Sequence, residues 1–228
     1  MPLMQRRPIM KEWVSNMKQS NRQIFTQGLI KDNPVFVGLL GLIPALAVTH
    51  TVETSLGMGI IMLFVLLGST LIINLTNRFI SDKNQLIAYV MIVAMLVSVA
   101  AILTEAFAPL LFSELGIYLP LLAVSTLVFH QMWDSKSTQL GKSLLSSLSQ
   151  GIGFILALLL IGLFREVIST GGIAYGVFLP LSSSGSFFNA STFLLNQSVF
   201  NTSAGGFIVI GVLLGIVRKI QNKGGDNV

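Results

Sequence analysis

Residues 41–50 read GLIPALAVTH, and most of that stretch returns at residues 118–127 as YLPLLAVSTL. With Pro44 laid over Pro120, Ile43-Pro44-Ala45-Leu46-Ala47-Val48-Thr49 matches Leu119-Pro120-Leu121-Leu122-Ala123-Val124-Ser125, a shift of 76 positions (44 to 120). Both copies are apolar and centred on a proline, and both lie inside longer apolar runs. The meaning of the repeat depends on how often the chain crosses a membrane between the two copies.

That the chain crosses one follows from its composition. Of 228 residues, 53% are hydrophobic and 10% charged, with a mean hydropathy of +0.79. A water-covered domain carries about 25% charged residues, so the bulk of this surface faces lipid. The apolar runs approach the ~20 residues that a hydrocarbon core of ~30 Å demands of a helix. They are continuous, which excludes the alternating ten-residue segments of a β-barrel. The fold class is all-α, a polytopic membrane protein. The absence of cysteine excludes disulfides and thiolate-ligated metals within the chain. Its net charge of +5 comes from residues flanking apolar segments, with no aromatic-interleaved basic patch. It is therefore a topology signal, and no nucleic-acid partner is expected.

Six spans are expected at about 34–50, 56–77, 86–108, 116–133, 144–168 and 205–220, with boundaries good to a few residues. Asp32-Asn33-Pro34 opens the first with a polar cap and a proline whose missing N–H costs nothing there. Spans one and four are short, and Pro44 and Pro120 are expected to bend or break them. With the N-terminus in the cytoplasm, the inner segments collect Arg6, Arg7, Lys11, Lys18, Arg22, Lys31, Arg78, Lys83, Lys136, Lys142, Arg218, Lys219 and Lys223. Of the 14 basic residues only Arg165 is left out. Cytoplasmic N- and C-termini follow from the positive-inside rule.

Residues 1–30 carry Trp13, Val14, Met17, Ile24, Phe25 and Leu29 among basic residues, the pattern of an amphipathic cytoplasmic segment on the inner membrane surface or of a loosely ordered tail. The membrane domain covers 31–220, with repeat one at about 31–108 and repeat two at about 115–220, and 221–228 form a cytoplasmic tail. Residues 170–203 are uncharged and rich in Ser, Asn, Gly and Phe. A loop of that length is usually functional or packed on a partner.

Three spans separate equivalent points of the two proline segments. Three is odd, so the second copy enters the membrane upside down. Two inverted three-helix repeats, with short broken helices one and four meeting near the midplane, are the expected architecture. Non-helical backbone at that depth survives only where protein or a cavity covers it. The repeat centre at Pro44 and Pro120 is therefore the candidate functional region.

NPVFVGLLGLIPALAVT at 33–49, LGIYLPLLAVST at 115–126, LFREVISTGG at 163–172 and AGGFIVIGVLLG at 204–215 resemble the family of Rnf and Nqr membrane subunits, in particular the E subunit of Rnf and the D subunit of Nqr. The resemblance runs in order from about residue 24 to 220. It implies six spans in two inverted repeats, and a larger bacterial inner-membrane complex that couples electron transport to movement of Na⁺ or H⁺. It implies partners, including a homologous inverted sister subunit, with flavins on other subunits. It also implies a [2Fe–2S] cluster held by cysteines from two such subunits. Where the family pattern has those cysteines, this chain has Ile43 and Thr126. Isoleucine has no ligating atom, and a neutral threonine hydroxyl is a poor iron ligand, so no cofactor is expected in this chain.

The remaining polar residues carry weaker signals. His130 lies one helical turn after Thr126, and histidine replaces cysteine on iron in some clusters. His50 and His130, however, belong at opposite membrane faces, where solvated imidazoles are ordinary. Arg165 and Glu166 near the outer end of span five, with Glu105 and Glu114, are either interfacial or part of an ion path or structural charge set. No catalytic residue and no metal site is expected. The leading function is a membrane subunit of an Rnf/Nqr-like ion-translocating electron-transport complex, not catalytic alone. The alternative is a cofactor-free transporter or substrate-binding module on the same inverted-repeat fold.

Overall fold

The computed structural model describes residues 35, 40–76, 80, 84–135, 140–170, 173–175, 185–187 and 202–225. The expected amphipathic segment at 1–30 lies outside them. In chain order the elements are α1 (Leu42–Val48), α2 (Val52–Thr76), α3 (Gln85–Phe107), α4 (Pro109–Leu115), a 3₁₀ turn (Pro120–Val124), α5 (Thr126–Ser135), α6 (Leu140–Thr170), β1 (Ile173–Tyr175), β2 (Gly185–Phe187) and α7 (Ser203–Gly225). Among the described residues, α2, α3 and α6 are long and apolar enough to cross a membrane, and they coincide with expected spans two, three and five. Within α7 the apolar stretch is Ala204–Ile216. The described residues are helical apart from turns and one antiparallel pairing of β1 with β2, in register Ile173 to Phe187, inside the long uncharged segment.

Expected spans one and four are not continuous helices. The first holds the seven-residue α1, which begins after Gly41 in a left-handed conformation at φ 72°. The second is divided into the 3₁₀ turn and α5 by Ser125, whose ψ of 131° is extended. The prolines are not where the breaks fall. Pro44 is the third residue of α1 and Pro120 the first of the 3₁₀ turn, positions where a backbone N–H has no intrahelical partner to lose. At Gly41 only glycine serves. Any β-carbon there would be strained by the positive φ and would lie 2.8 Å from the Phe154 ring.

The centre of the molecule is the antiparallel pair α2 and α6, the most extensive helix contact. Its contacts are reciprocal. A β-carbon at Gly59 would lie 2.7 Å from Ile155, and one at Gly151 would overlap Leu63. A shift of 92 positions (59 to 151) carries Gly59 onto Gly151 and Leu63 onto Ile155, so each contact is the image of the other. The same shift carries Ser55 onto Ser147 and Thr70 onto Gly162. It turns the close approach of Gly162 to Ser55 into the 2.6 Å hydrogen bond between Thr70 and Ser147. In sequence the shift lays TSLGMGI at 54–60 over SSLSQGI at 146–152. Small residues at such seams let backbones approach, which matters in lipid because hydrophobic burial gives helices no reason to associate.

Polar side chains close one end of this seam. Gln131 of α5 donates from Nε2 to Ser147 Oγ (2.6 Å) and to the Ser143 carbonyl (3.3 Å), and Ser147 Oγ donates to that carbonyl at 3.0 Å. Asn74 Nδ2 donates to Ser143 Oγ at 3.4 Å. Helices α2, α5 and α6 are thereby joined through neutral groups buried away from lipid.

Because the seam is reciprocal, Gly59→Leu and Gly151→Leu should cost similar amounts, each about 1–3 kcal/mol of overpacking. Thermal unfolding of the two purified variants in detergent checks this. A large loss for one and none for the other would contradict the reciprocal packing.

Candidate functional site

The two divided helices meet each other. The Gly41 N–H donates to Thr126 Oγ1 at 3.3 Å across 85 residues of sequence. The first residue of α5 thus touches the residue that starts α1. Both are helix beginnings, where backbone N–H groups lack intrahelical partners, and Thr126 Oγ1 satisfies one of them. Thr126 is otherwise exposed, Pro44 is buried and Pro120 exposed. Ile43 has its backbone in α1, and its side chain lies outside the described part of the structure.

A second polar centre lies at the other end of α1. Arg165, on α6, is 2% exposed. Its Nη1 donates to the Leu46 carbonyl (3.1 Å) and Thr49 Oγ1 (3.0 Å), and its Nη2 donates to the Thr202 carbonyl at 3.1 Å. Leu46 is in the last turn of α1, so the guanidinium sits at the negative end of that helix, where a cation is stabilised. Its neighbour Glu166 does the converse. Glu166 Oε2 accepts the N–H of Val52, the first residue of α2, at 2.7 Å, a carboxylate at a positive helix end. Adjacent residues of α6 therefore hold the two sides of the α1–α2 turn. Gly206 makes room, since a β-carbon there would lie 3.2 Å from Arg165 Nη1.

The turn supplies further satisfaction from within. Thr51 caps α2, its Oγ1 accepting the Thr54 N–H at 3.2 Å. Thr54 Oγ1 donates to the Val48 carbonyl at 2.7 Å, and Thr49 Oγ1 donates to the Ala45 carbonyl at 2.5 Å. Glu53, in the first turn of α2, is 5% exposed. His50 Nε2 lies 3.7 Å from Glu114 Oε2, which joins the turn to α4.

Of the residues singled out by sequence, Arg165 and Glu166 are buried in this clamp instead of reaching for an interface. Glu105 is exposed in the last turn of α3, and His130 is exposed on α5. Gly41 and Thr202 escaped the sequence reading, and Thr49 and Ser125 entered it only as matched positions of the repeat. Of the missed pair Gly41 carried a signal, a glycine just before a proline-bearing helical start.

The clamp exists on one side only. The 92-position shift carries Ile73 onto Arg165, and the 76-position shift carries Thr49 onto Ser125. Thr49 Oγ1 receives the guanidinium; its counterpart Ser125 Oγ is buried with no hydrogen-bond partner among the described residues. A lone buried hydroxyl costs about 1–3 kcal/mol.

Two outcomes follow. Arg165→Ala should lower stability by about 3–5 kcal/mol through loss of a buried hydrogen-bonded charge, and Arg165→Lys should not restore it, because one ammonium cannot span three acceptors in the guanidinium geometry. Ser125→Ala should be neutral or stabilising by about 1 kcal/mol. Both are read by thermal unfolding in detergent.

Comparison with known proteins places the chain in one family. Residues 21–214 match the family described as "Rnf-Nqr subunit, membrane protein". The chain is 36% identical over 209 residues to the E subunit of the ion-translocating oxidoreductase complex of Methanosarcina acetivorans, covering 88% of this chain and 93% of that protein. It is 35% identical over 202 residues to the E subunit of the proton-translocating ferredoxin:NAD(+) oxidoreductase complex of Clostridium ljungdahlii, covering 88% and 89%. It is 33% identical over 214 residues to the E subunit of the ion-translocating oxidoreductase complex of Haemophilus influenzae, covering 92% and 91%.

Proposed function

The chain belongs to the Rnf-Nqr family of membrane subunits, and from that premise we propose that it is the integral membrane subunit of an ion-translocating oxidoreductase complex. The observation that carries this reading is the match across residues 21–214, which includes both divided helices and the Arg165–Glu166 clamp. Its partners are the other membrane subunits of the complex, including a homologous sister chain, and the transported ion is Na⁺ or H⁺.

Within the membrane the chain is read as six spans in two inverted three-helix units, with both termini cytoplasmic in a bacterial cell membrane. Support comes from the odd number of spans between the repeated segments and from the basic residues gathered on one side. The reciprocal α2–α6 seam supports it too, since equivalent helices of two inverted units pair in that manner. Reporter fusions at residue 185 and at the C-terminus should lie on opposite sides of the membrane. Both on one side would reject the arrangement.

The meeting of Gly41 and Thr126 is read as a mechanical joint, not a redox centre. A [2Fe–2S] cluster needs anionic sulfur ligands. Position 126 offers a neutral hydroxyl that accepts the Gly41 N–H, and isoleucine at 43 offers no ligating atom. These residues do not fit the cluster, so electrons in the assembly travel through cofactors on other subunits. An affinity-tagged chain purified in mild detergent should bring a homologous membrane subunit and flavin-bearing subunits with it. Isolation of the chain alone would defeat the reading. Thr126→Val should leave the iron content of that assembly unchanged; loss of stoichiometric iron would show that residue 126 is a ligand after all.

A further inference from the structure

The break in the second divided helix leaves polar groups unmet inside the molecule. Ser125 interrupts the chain with its ψ of 131°, and Thr126, Leu127 and Val128 begin α5. In a first turn an N–H has no acceptor within its own helix, and here Leu127 and Val128 are fully buried. Ser125 stands where a serine commonly caps such amides. Its hydroxyl nevertheless is buried with no hydrogen-bond partner among the described residues. The Ser125 backbone is fully used, its N–H donating to the Leu122 carbonyl and its carbonyl accepting the Phe129 N–H, each at 3.1 Å. Only the side chain and the amides beside it are left over. At the first break the same need is met by charge, with Arg165 on the Leu46 carbonyl and Glu166 on the Val52 N–H. The 92-position shift puts Ile73 and Asn74 in their places. Isoleucine offers no polar atom, and Asn74 Nδ2 donates to the Thr70 carbonyl and Ser143 Oγ.

We propose that the second break is a binding site for one ordered water molecule, which accepts the N–H groups of Leu127 and Val128 and donates to Ser125 Oγ. The positive end of α5 repels a cation. An anion held there without a paired cation would carry the large cost of an isolated buried charge. The ligand that fits is small and neutral and both accepts and donates, which is the chemistry of water. Three hydrogen bonds are the usual complement of a buried water, and irregular backbone at membrane depth survives only where protein or water meets it. The first break is thus held by side chains that cannot leave, the second by a ligand that exchanges. The proposal depends on the chain being embedded in a membrane and on neither its orientation nor its membership of a complex.

The test is hydrogen–deuterium exchange of the full chain with its co-isolating subunits in lipid nanodiscs, resolved to single amides by fragmentation mass spectrometry. In the unaltered protein the Leu127 and Val128 amides should exchange far faster than the hydrogen-bonded amides of residues 154–161 in the middle of α6. Ser125→Val, which sets a methyl group in place of the hydroxyl, should slow both about tenfold, the worth of one hydrogen bond to the bound water. Ser125→Thr keeps a hydroxyl and should keep the original rates. Unfolding temperature is followed in parallel, and if Ser125→Val does not fold, exchange in the unaltered protein decides alone. Leu127 and Val128 amides as protected as the middle of α6 would overturn the proposal, because the break would then be dry or closed by Ser125 acting as an ordinary cap. So would exchange in folded Ser125→Val as fast as in the unaltered protein, because nothing would then depend on the hydroxyl.

Discussion

Lipid offers no water to a freed backbone group, so a chain that interrupts its helices inside a membrane has to satisfy the ends itself. Arg165 and Glu166 meet that requirement at the α1–α2 turn. One side chain donates to the carbonyl end of α1, the next accepts from the amide end of α2, and each charge faces the helix terminus of opposite sign. The guanidinium also reaches the Thr202 carbonyl just before α7. The ends of three helices, α1, α2 and α7, therefore converge on two adjacent residues of a fourth, α6. Burying them is favourable only because every charge is hydrogen-bonded where it lies.

Around that clamp the molecule is organised as a pair of long helices in reciprocal contact, and the departures from reciprocity carry the information. Where one end of the seam has Arg165, the other has Ile73; and where Thr49 of the first repeated segment has a partner, Ser125 of the second has none among the described residues. The neutral group of Gln131, Ser143, Ser147 and Thr70 holds the second end together without charge. One end of the seam is thus held by ionic hydrogen bonds and the other by hydroxyls and amides, which are individually weaker. Gly41 and Thr126 add one neutral hydrogen bond between the starts of α1 and α5.

The sequence by itself determined that this is a helical membrane chain, because a hydrocarbon core admits only long apolar runs and α2, α3 and α6 are such runs. It also determined that one proline-centred segment occurs twice, since repetition is visible without coordinates. Where the helices actually divide was decided in three dimensions. Both prolines fall in first turns that tolerate them, while Gly41 breaks the chain because Phe154, 113 positions further on (41 to 154), leaves no room for a side chain. The use of Arg165 was likewise a tertiary matter. Its acceptors are 119, 116 and 37 residues away, and no local pattern tells a buried clamp from an arginine reaching for the membrane surface. The 92-position register of the α2–α6 seam was present in the letters but too degenerate to read, because membrane spans draw on few residue types. Only contact between the helices, glycine against isoleucine and glycine against leucine, picked that register from the alternatives, since close packing accepts one alignment of small and large side chains and rejects its neighbours.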